Sequence, residues 1–299
     1  MNTDEPASNV WLSSRAQGET PDLETLTDEI FGLGQAQAKL LEGDFKAYLL
    51  SHFGDRRILR GEIRLVMEYA RWIPQGATVL DWGCGPALPS LVLSRLRPDL
   101  ELRAANFDTE IQCFKLLWEA ARLDVLPLQH DWVLPYADNS LDVVISKGVL
   151  EHVPHEQMSL AEIYRVLRHE GKLIVTALPS RYSLLEWFNR ICRRSHHIRL
   201  YTLRGAKKLL LSCGFHIAWS GFRIACPLAT PWAEPVFRIW ERVPAARNLT
   251  QNLVLMGVKS SHGIGGDQMY SWGNLQTTLQ RFESSSQKAV MGKGGAKPK

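Results

Sequence analysis

The sequence has little of what marks several large classes of protein. Its five cysteines are odd in number, widely spaced and without a C-x-x-C pair, so neither a disulfide framework nor a zinc site is indicated and a reducing compartment is expected. No apolar run reaches the roughly 18 residues that a membrane-spanning helix needs. The N-terminus is polar and acidic, without the basic and apolar regions of a signal peptide. We therefore expect a cytoplasmic protein.

A strong excess of one charge is also missing. The formal net charge is +4 over 299 residues, which is too small to indicate a nucleic-acid binder by itself. Hydrophobic residues make up 45% and charged residues 22% of the chain, as in ordinary globular proteins. The length fits one large α/β domain with appended segments or two domains.

Composition and apolar spacing divide the chain into four segments. The expected segments are a disordered tail at 1–20, N-terminal helices at 21–75, a core domain at 76–260 and a disordered tail at 261–299. Both tails lack apolar periodicity. Within the second segment, the spacing of apolar residues predicts two helices, one from Pro21 to about Leu50 and one from about Arg57 to Trp72.

From Thr78 onward, short apolar runs alternate with amphipathic stretches, which predicts a parallel sheet covered by helices on both faces. The predicted strands are Thr78 to Leu80, Leu100 to Phe107, Leu126 to His130, Leu141 to Ser146, Leu173 to Leu178, Phe215 to Phe222 and Asn252 to Val258. The predicted helices are about Pro89 to Leu96, Thr109 to Leu123, His155 to Arg168 and Thr202 to Cys213. Gly171 and Gly214 follow the last two, and glycine suits a helix C-terminus.

A Gly-rich loop, Asp81-Trp82-Gly83-Cys84-Gly85-Pro86-Ala87, follows the first strand of the core. Its glycines let the backbone approach a ligand at the carboxyl end of the strand. The next helix offers N–H groups to an anion. A dinucleotide-binding loop would need a small residue at the position of Leu88, so an NAD-linked oxidoreductase is the weaker alternative.

The spacing D-x-G-x-G-x-A resembles the first motif of class I methyltransferases. Four further segments resemble the type 11 family of small-molecule methyltransferases in order and spacing: Leu134 to Ser146, Lys147 to Pro154, Leu160 to Leu167 and Gly171 to Val175. The resemblance is close over Val79 to Leu178 and loose over Arg199 to Lys259. It implies a Rossmann-like α/β fold with a seven-stranded sheet, six strands parallel and the last antiparallel, and S-adenosylmethionine as the cofactor.

The resemblance also implies a set of cofactor-binding residues. They are Asp81, Gly83, Gly85, Asp108, Thr109, Asp131, Trp132, Ser146 and Lys147. Asp108 ends the second strand, where its carboxylate can accept hydrogen bonds from both ribose hydroxyls. The alternative is a charge at the start of the helix that begins at Thr109.

Two further positions keep alternatives open. Asp131 can accept the adenine amino group, while Trp132 either covers the adenine face or only packs. Lys147 stands where the family often carries a small or amide residue. It pairs with the methionyl carboxylate, pairs with an anionic substrate, or points to solvent.

The catalytic residues are not fixed by the sequence. Methyl transfer from a sulfonium is an in-line displacement, so positioning alone supplies much of the acceleration and a base is optional. His152, His197 and Tyr201 are the candidates near the expected acceptor. The alternative for His152 is packing beside the cofactor. No metal site is expected, because no His/Asp cluster shows ligand spacing.

Two inserts, at about 180–200 and 226–248, are expected to cap the site. The basic residues of these inserts favour an anionic acceptor. Alternatively, the inserts only pack against the core and keep a solvated basic face, or they contact an anionic membrane surface. A sugar- or lipid-linked small molecule fits this expectation, and no nucleic-acid partner is expected. A second alternative is a catalytically silent protein of the same fold that only binds S-adenosylmethionine.

Overall fold

A computed structural model describes residues 21–107, 113–183, 190–191, 197–223 and 252–260. The helices with described bounds are α1 (Leu23–Lys39), α2 (Gly43–Phe53), α3 (Arg56–Ala70), α4 (Leu88–Leu96), α5 (Lys115–Ala120), α6 (Glu156–Val166) and α7 (Leu203–Ser212). The strands are β1 (Thr78–Trp82), β2 (Glu101–Phe107), β3 (Val125–Leu128), β4 (Leu141–Lys147), β5 (Leu167–Pro179), β6 (Phe215–Arg223) and β7 (Asn252–Lys259). The predicted tails, the insert at 226–248 and much of the insert at 180–200 lie outside the described residues, as do Asp108 and Thr109.

The seven strands form one sheet in the order β3-β2-β1-β4-β5-β7-β6. β1 pairs in parallel with β2 on one side and with β4 on the other. β7 runs antiparallel to both β5 and β6. The predicted sheet is thereby confirmed. Because the strand order reverses at β1, a crevice is expected at the carboxyl ends of β1 and β4, where ligands bind in open α/β sheets.

Alternating side chains of the central strands bury two apolar cores, one on each face of the sheet. Val143 and Ile145 of β4 join the core under α1 to α5. Val144, between them, joins the core under α6 and α7. The period of two follows from strand geometry, and burial on both faces explains why β4 is a continuous apolar run.

The N-terminal helices belong to the first of these cores. Leu26 and Leu59 are fully buried in the same cluster as Val79 of β1. The buried side chain of Gln37 also ties α1 to the segment around the start of α5. Its amide nitrogen donates to the backbone carbonyl of residue 113, and its amide oxygen accepts from the backbone N–H of residue 116, each at 3.1 Å. Helices α1 to α3 are therefore packed as part of the sheet's own structure.

The sequence predicts one helix from Pro21 to about Leu50, and this prediction was wrong, because the segment forms two helices, α1 and α2. The chain turns after Lys39, and Gly43 takes a φ of 57° at the start of α2.

Within the described residues, no helix is long and apolar enough to cross a membrane.

The two glycines predicted to end helices have different positions. Gly171 does not end a helix, because α6 stops at Val166 and Gly171 lies inside a longer β5. An added Cβ there would stand 2.7 Å from Arg168 O, so a close approach of backbone requires the glycine. Gly214 was placed correctly, since it follows α7 with a φ of 93°.

Candidate cofactor and acceptor site

The Gly-rich loop follows β1 at the crevice and takes a conformation that needs small residues. Gly83, Gly85 and Ala87 have φ values of 66°, 48° and 56°, in the left-handed region that glycine enters without steric cost. A Cβ on Gly83 would stand 2.7 Å from Cγ2 of Val149. Trp118 Nε1 donates to Gly85 O at 2.8 Å. The loop is therefore held in a close turn that a larger residue at position 83 would distort.

Asp81 lies beneath this loop rather than at its surface. It is 2% exposed, and its carboxylate accepts a hydrogen bond from Ser90 Oγ at 2.7 Å and another from the Ser90 backbone N–H. Burial raises the pKa of Asp81 to about 6, against the lowering effect of these hydrogen bonds and of the Lys147 charge. Asp81 thus joins β1 to the first turn of α4, where the helix dipole favours a negative charge.

Helix α2 lies over the loop, which the sequence did not predict. The hydroxyl of Tyr48 stands 3.1 Å from the position that a Cβ on Gly85 would occupy. The Tyr48 ring packs beside His52 and Phe114, with centroid distances of 4.9 and 6.0 Å. We call Tyr48 the roof of the loop. Nothing in the spacing of α2 signals this role, because it depends on how α2 packs against a loop that follows much later in the chain.

Lys147 ends β4 and points toward the N-terminal helices. Its ammonium lies 3.1 Å from Glu62 Oε2 of α3, and both side chains are less than one-fifth exposed. Burial and the Lys147 charge lower the pKa of His52 to about 4, so that His52 is neutral at pH 7. Of the alternatives for Lys147, the solvent-directed side chain is wrong. The ammonium is ion-paired with Glu62, and its pairing with a methionyl carboxylate or an anionic substrate stays a prediction.

Two neighbouring residues at the carboxyl ends of β1 and β4 each carry a buried polar side-chain atom. Trp82 and Ser146 pair across the two strands and are both fully buried. Among the described residues, Trp82 Nε1 and Ser146 Oγ have no hydrogen-bond partner. Buried polar atoms are normally paired, so these two fit a site that takes a polar ligand. The place of Ser146 in the cofactor site stays a prediction.

Asp131 and Trp132 follow β3 and contact the start of α6. Asp131 is 6% exposed and accepts hydrogen bonds from His155 N and Ser159 Oγ, both at 3.1 Å. The Trp132 ring packs edge-on against His155, with centroids 4.3 Å apart. Both residues therefore stabilise α6, and their contact with adenine stays a prediction.

The turn after β4 and the chain before α7 bring two acceptor-side candidates together. The rings of His152 and His197 lie 5.1 Å apart, and His152 Nε2 is 3.9 Å from Glu151 Oε1. One ligand atom from each of these three residues lies within 4.8 Å of the others. The sequence predicts no metal site, because it shows no His/Asp cluster with ligand spacing, and this group of possible ligands forms only in the folded chain. His197 lies far from His152 in sequence, so ligand spacing could not reveal the contact.

Tyr201 is buried and engaged in hydrogen bonds. It is 7% exposed, and its hydroxyl bonds to Leu150 O at 3.2 Å and to the Glu156 carboxylate. Burial and the contact with Glu156 raise the pKa of Tyr201 well above its usual range. A phenol so held is a poor proton acceptor, so Tyr201 fixes the chain that carries His197.

A family model described as a methyltransferase domain matches residues 80–175. These residues run from β1 to β5 and include the Gly-rich loop, Lys147 and the turn after β4. The segment from β1 to β5 is thus similar to a methyltransferase domain. S-adenosylmethionine is the cofactor of such domains, as predicted.

Curated methyltransferases match part of the chain. One is 2-methyl-6-phytyl-1,4-hydroquinone methyltransferase of Synechocystis, 29% identical over 138 residues, which are 42% of this chain and 42% of the relative. Another is demethylmenaquinone methyltransferase of Thermus thermophilus, 32% identical over 134 residues, 44% of this chain and 58% of the relative. The chain thus spans about half the length of these relatives.

The fold is shared with solved structures. A chain from the complex between the Haloferax volcanii Trm112 methyltransferase activator and a methyltransferase aligns with a TM-score of 0.58 at 17% identity. That alignment covers 74% of this chain and 98% of the other. At this level of identity the likeness shows the fold.

Proposed function

We propose that this protein transfers the methyl group of S-adenosylmethionine to a small-molecule acceptor. The observation that carries the proposal is the left-handed turn at Gly83, Gly85 and Ala87, which lies at the strand-order reversal and beneath the roof. Such a turn brings backbone to the ligand where side chains would block it. The covered setting fits a donor that must be kept in line with its acceptor.

The methionyl end of the proposed cofactor position follows from the residues around the turn. Lys147 is the available cation for the methionyl carboxylate, with Glu62 holding its side chain from α3. Ser146 and Trp82 offer buried polar atoms at the same edge of the sheet. The sulfonium would supply the methyl group, and the chain's own groups orient it.

The nucleoside end of the cofactor is proposed on the other side of the turn. Asp108, which follows β2, remains the proposed partner of the ribose hydroxyls. The edge formed by Asp131 and Trp132, which follows β3, is the proposed adenine side. This order places the nucleoside along the carboxyl ends of three adjacent strands, β1, β2 and β3.

The proposed acceptor is an anionic amphiphile. An open cleft of about 810 Å³ lies beside the end of β5, within the usual size range of ligand sites. Its lining is Ser180, Tyr182, Thr202, Leu203, Arg204, Lys207, Lys208, Leu211 and Phe222. The apolar members suit a hydrocarbon part, and the three cations suit an acidic group. The names of two relatives, a phytyl hydroquinone methyltransferase and a demethylmenaquinone methyltransferase, support a lipid-linked acceptor.

Titration calorimetry with S-adenosylhomocysteine and with NAD tests the cofactor. We expect micromolar binding of the first and none of the second, because Leu88 fills the position where a dinucleotide loop needs a small residue. Tighter binding of NAD would overturn the proposal. Binding of S-adenosylhomocysteine without methyl transfer to any acidic prenyl or acyl acceptor would favour the catalytically silent alternative.

A charge reversal in the cleft tests the acceptor class. Lys207→Glu should weaken the apparent affinity for an acidic acceptor by about tenfold while leaving S-adenosylhomocysteine affinity unchanged, since one ion pair is lost and one repulsion is added. Lys115→Glu on α5 is the matched control, because Lys115 is exposed and pairs with Glu119 on its own helix. Equal effects of the two variants would show that the cleft does not hold the acidic group.

A further inference from the structure

We propose that Glu151, His152 and His197 form a binding site for one divalent first-row metal ion. The three side chains offer one carboxylate oxygen and two imidazole nitrogens within 4.8 Å of one another. Two histidines and one carboxylate are a donor set that zinc and iron proteins use, with further positions left open for water or substrate. Bonds of about 2.1 Å in a tetrahedral zinc site place ligand atoms about 3.4 Å apart. The three donors are therefore already close to the spacing that an ion requires.

The backbone fixes the two halves of this site against each other. Ile198 N donates to Glu151 O at 3.1 Å. The guanidinium of Arg199 donates to both backbone carbonyls of residues 153–154. These bonds join the chain after His197 to the turn that carries the other two donors. His197 is thus held beside that turn before any ion binds, which reduces the entropy lost on binding.

Electrostatics around the three donors also favour a cation. Glu151 is 2% exposed, and ionising a buried carboxylate is less costly beside a positive charge, which a bound ion supplies. Arg199 is engaged elsewhere: its side chain bonds to two backbone carbonyls and lies 3.7 Å from Glu156. The side chain of His152 is about half exposed, which gives an ion a route into the site from solvent.

The site lies next to the Gly-rich loop. Val149, two residues before Glu151, is the side chain that a Cβ on Gly83 would strike. A metal ion here would be placed to bind an oxygen of the acceptor and to lower its pKa, so that the oxygen is ionised at neutral pH. This role rests on the proposed methyl transfer. The binding of the ion does not.

The test is calorimetric titration of the full, untagged chain with Zn²⁺, followed by Co²⁺ as a spectroscopic probe. We expect one ion per chain, and visible d–d bands of Co²⁺ without the thiolate charge-transfer band that the cysteines would add. His152→Ala and His197→Ala should each weaken Zn²⁺ binding by at least about tenfold, because each removes one of three ligands. His216→Ala is the matched control, since His216 is exposed on the edge strand β6.

Thermal melting of each metal-free variant shows that it folds, and His152 is exposed enough that its loss should leave the fold intact. The absence of Zn²⁺ binding to wild-type protein, or equal binding by wild type and both histidine variants, would overturn the metal site. Titration of the same samples with S-adenosylhomocysteine keeps the two proposals apart. Cofactor binding without Zn²⁺ binding removes only the metal site, and Zn²⁺ binding without cofactor binding removes only the methyltransferase proposal.

Discussion

Replacing Asp81 by Asn in the cofactor-free protein should change how stability depends on pH. Asp81 is 2% exposed and burial raises its pKa to about 6, from an ordinary value of 3.8. The folded state therefore binds this proton more tightly than the unfolded state does. The stabilisation is fully present below about pH 4 and is lost as the pH rises through about 6. The difference in pKa corresponds to about 3 kcal/mol.

The asparagine in this variant would stay neutral and still accept the hydrogen bond from Ser90, so the pH-dependent loss should disappear. We expect the free energy of unfolding of Asp81→Asn, relative to wild type, to rise by about 2.5 kcal/mol between about pH 4 and pH 7.5. Any fixed cost of the added amide N–H is the same at both pH values and cancels. The depressed pKa of His52 affects both proteins equally. Urea unfolding at a series of pH values measures the difference.

Asp99→Asn is the control with the opposite sign. The Arg97 guanidinium and the Gly76 N–H hold the pKa of Asp99 well below its usual range. Wild-type Asp99 therefore stabilises the protein above about pH 4 and loses that effect as the pH falls, so the variant should lose stability relative to wild type as the pH rises. If Asp81→Asn and wild type differed by the same free energy at about pH 4 and pH 7.5, the carboxylate would not be desolvated and the reasoning would fail.

Three further changes separate cofactor binding from folding. Gly83→Ala should lower the free energy of unfolding by about 2 kcal/mol, because Gly83 has a left-handed φ and an added Cβ would contact Val149. The same change should weaken S-adenosylhomocysteine binding. An unchanged melting temperature and an unchanged affinity would show that the loop relaxes freely. Asp108→Ala should weaken S-adenosylhomocysteine binding by about tenfold and leave the melting temperature unchanged. A lowered melting temperature with unchanged affinity would instead show that Asp108 is only a charge at the start of a helix. Lys259→Met should lower stability without changing S-adenosylhomocysteine affinity. We expect a loss of about 3 kcal/mol in the free energy of unfolding measured with urea, because the buried Lys259 ammonium donates a hydrogen bond to Leu167 O at 2.7 Å.

The sequence was sufficient to predict the sheet and the loop because both depend on local patterns. The apolar runs of β1 and β4 are bounded by polar or turn residues, and Gly83 and Gly85 mark a backbone that needs positive φ. Strand order and the antiparallel β7 came from the family resemblance rather than from the runs themselves. Gly171 misled the prediction because a glycine after a helix and a glycine in a crowded strand look alike in sequence.

The sides and roof of the site were not predictable from local pattern. Tyr48 and Glu62 belong to helices whose place over the sheet is decided by packing of apolar faces. Nothing in the spacing of those helices says which polar side chains then meet the loop. His197 and His152 meet for a similar reason, since the contact depends on how the chain returns to β4 after β5. Pairwise contacts across long separations need the folded structure.

The position of α2 over the Gly-rich loop also has a kinetic consequence. Tyr48 stands so close to Gly85 that a ligand bound along the loop would be covered by a helix whose Leu49 and Phe53 are fully buried. If the proposed cofactor binds along the loop, its exchange would need α2 to move, which would break these apolar contacts. The frequency of that opening, rather than the chemical step, would set the upper limit on turnover, as lid opening does in many enzymes.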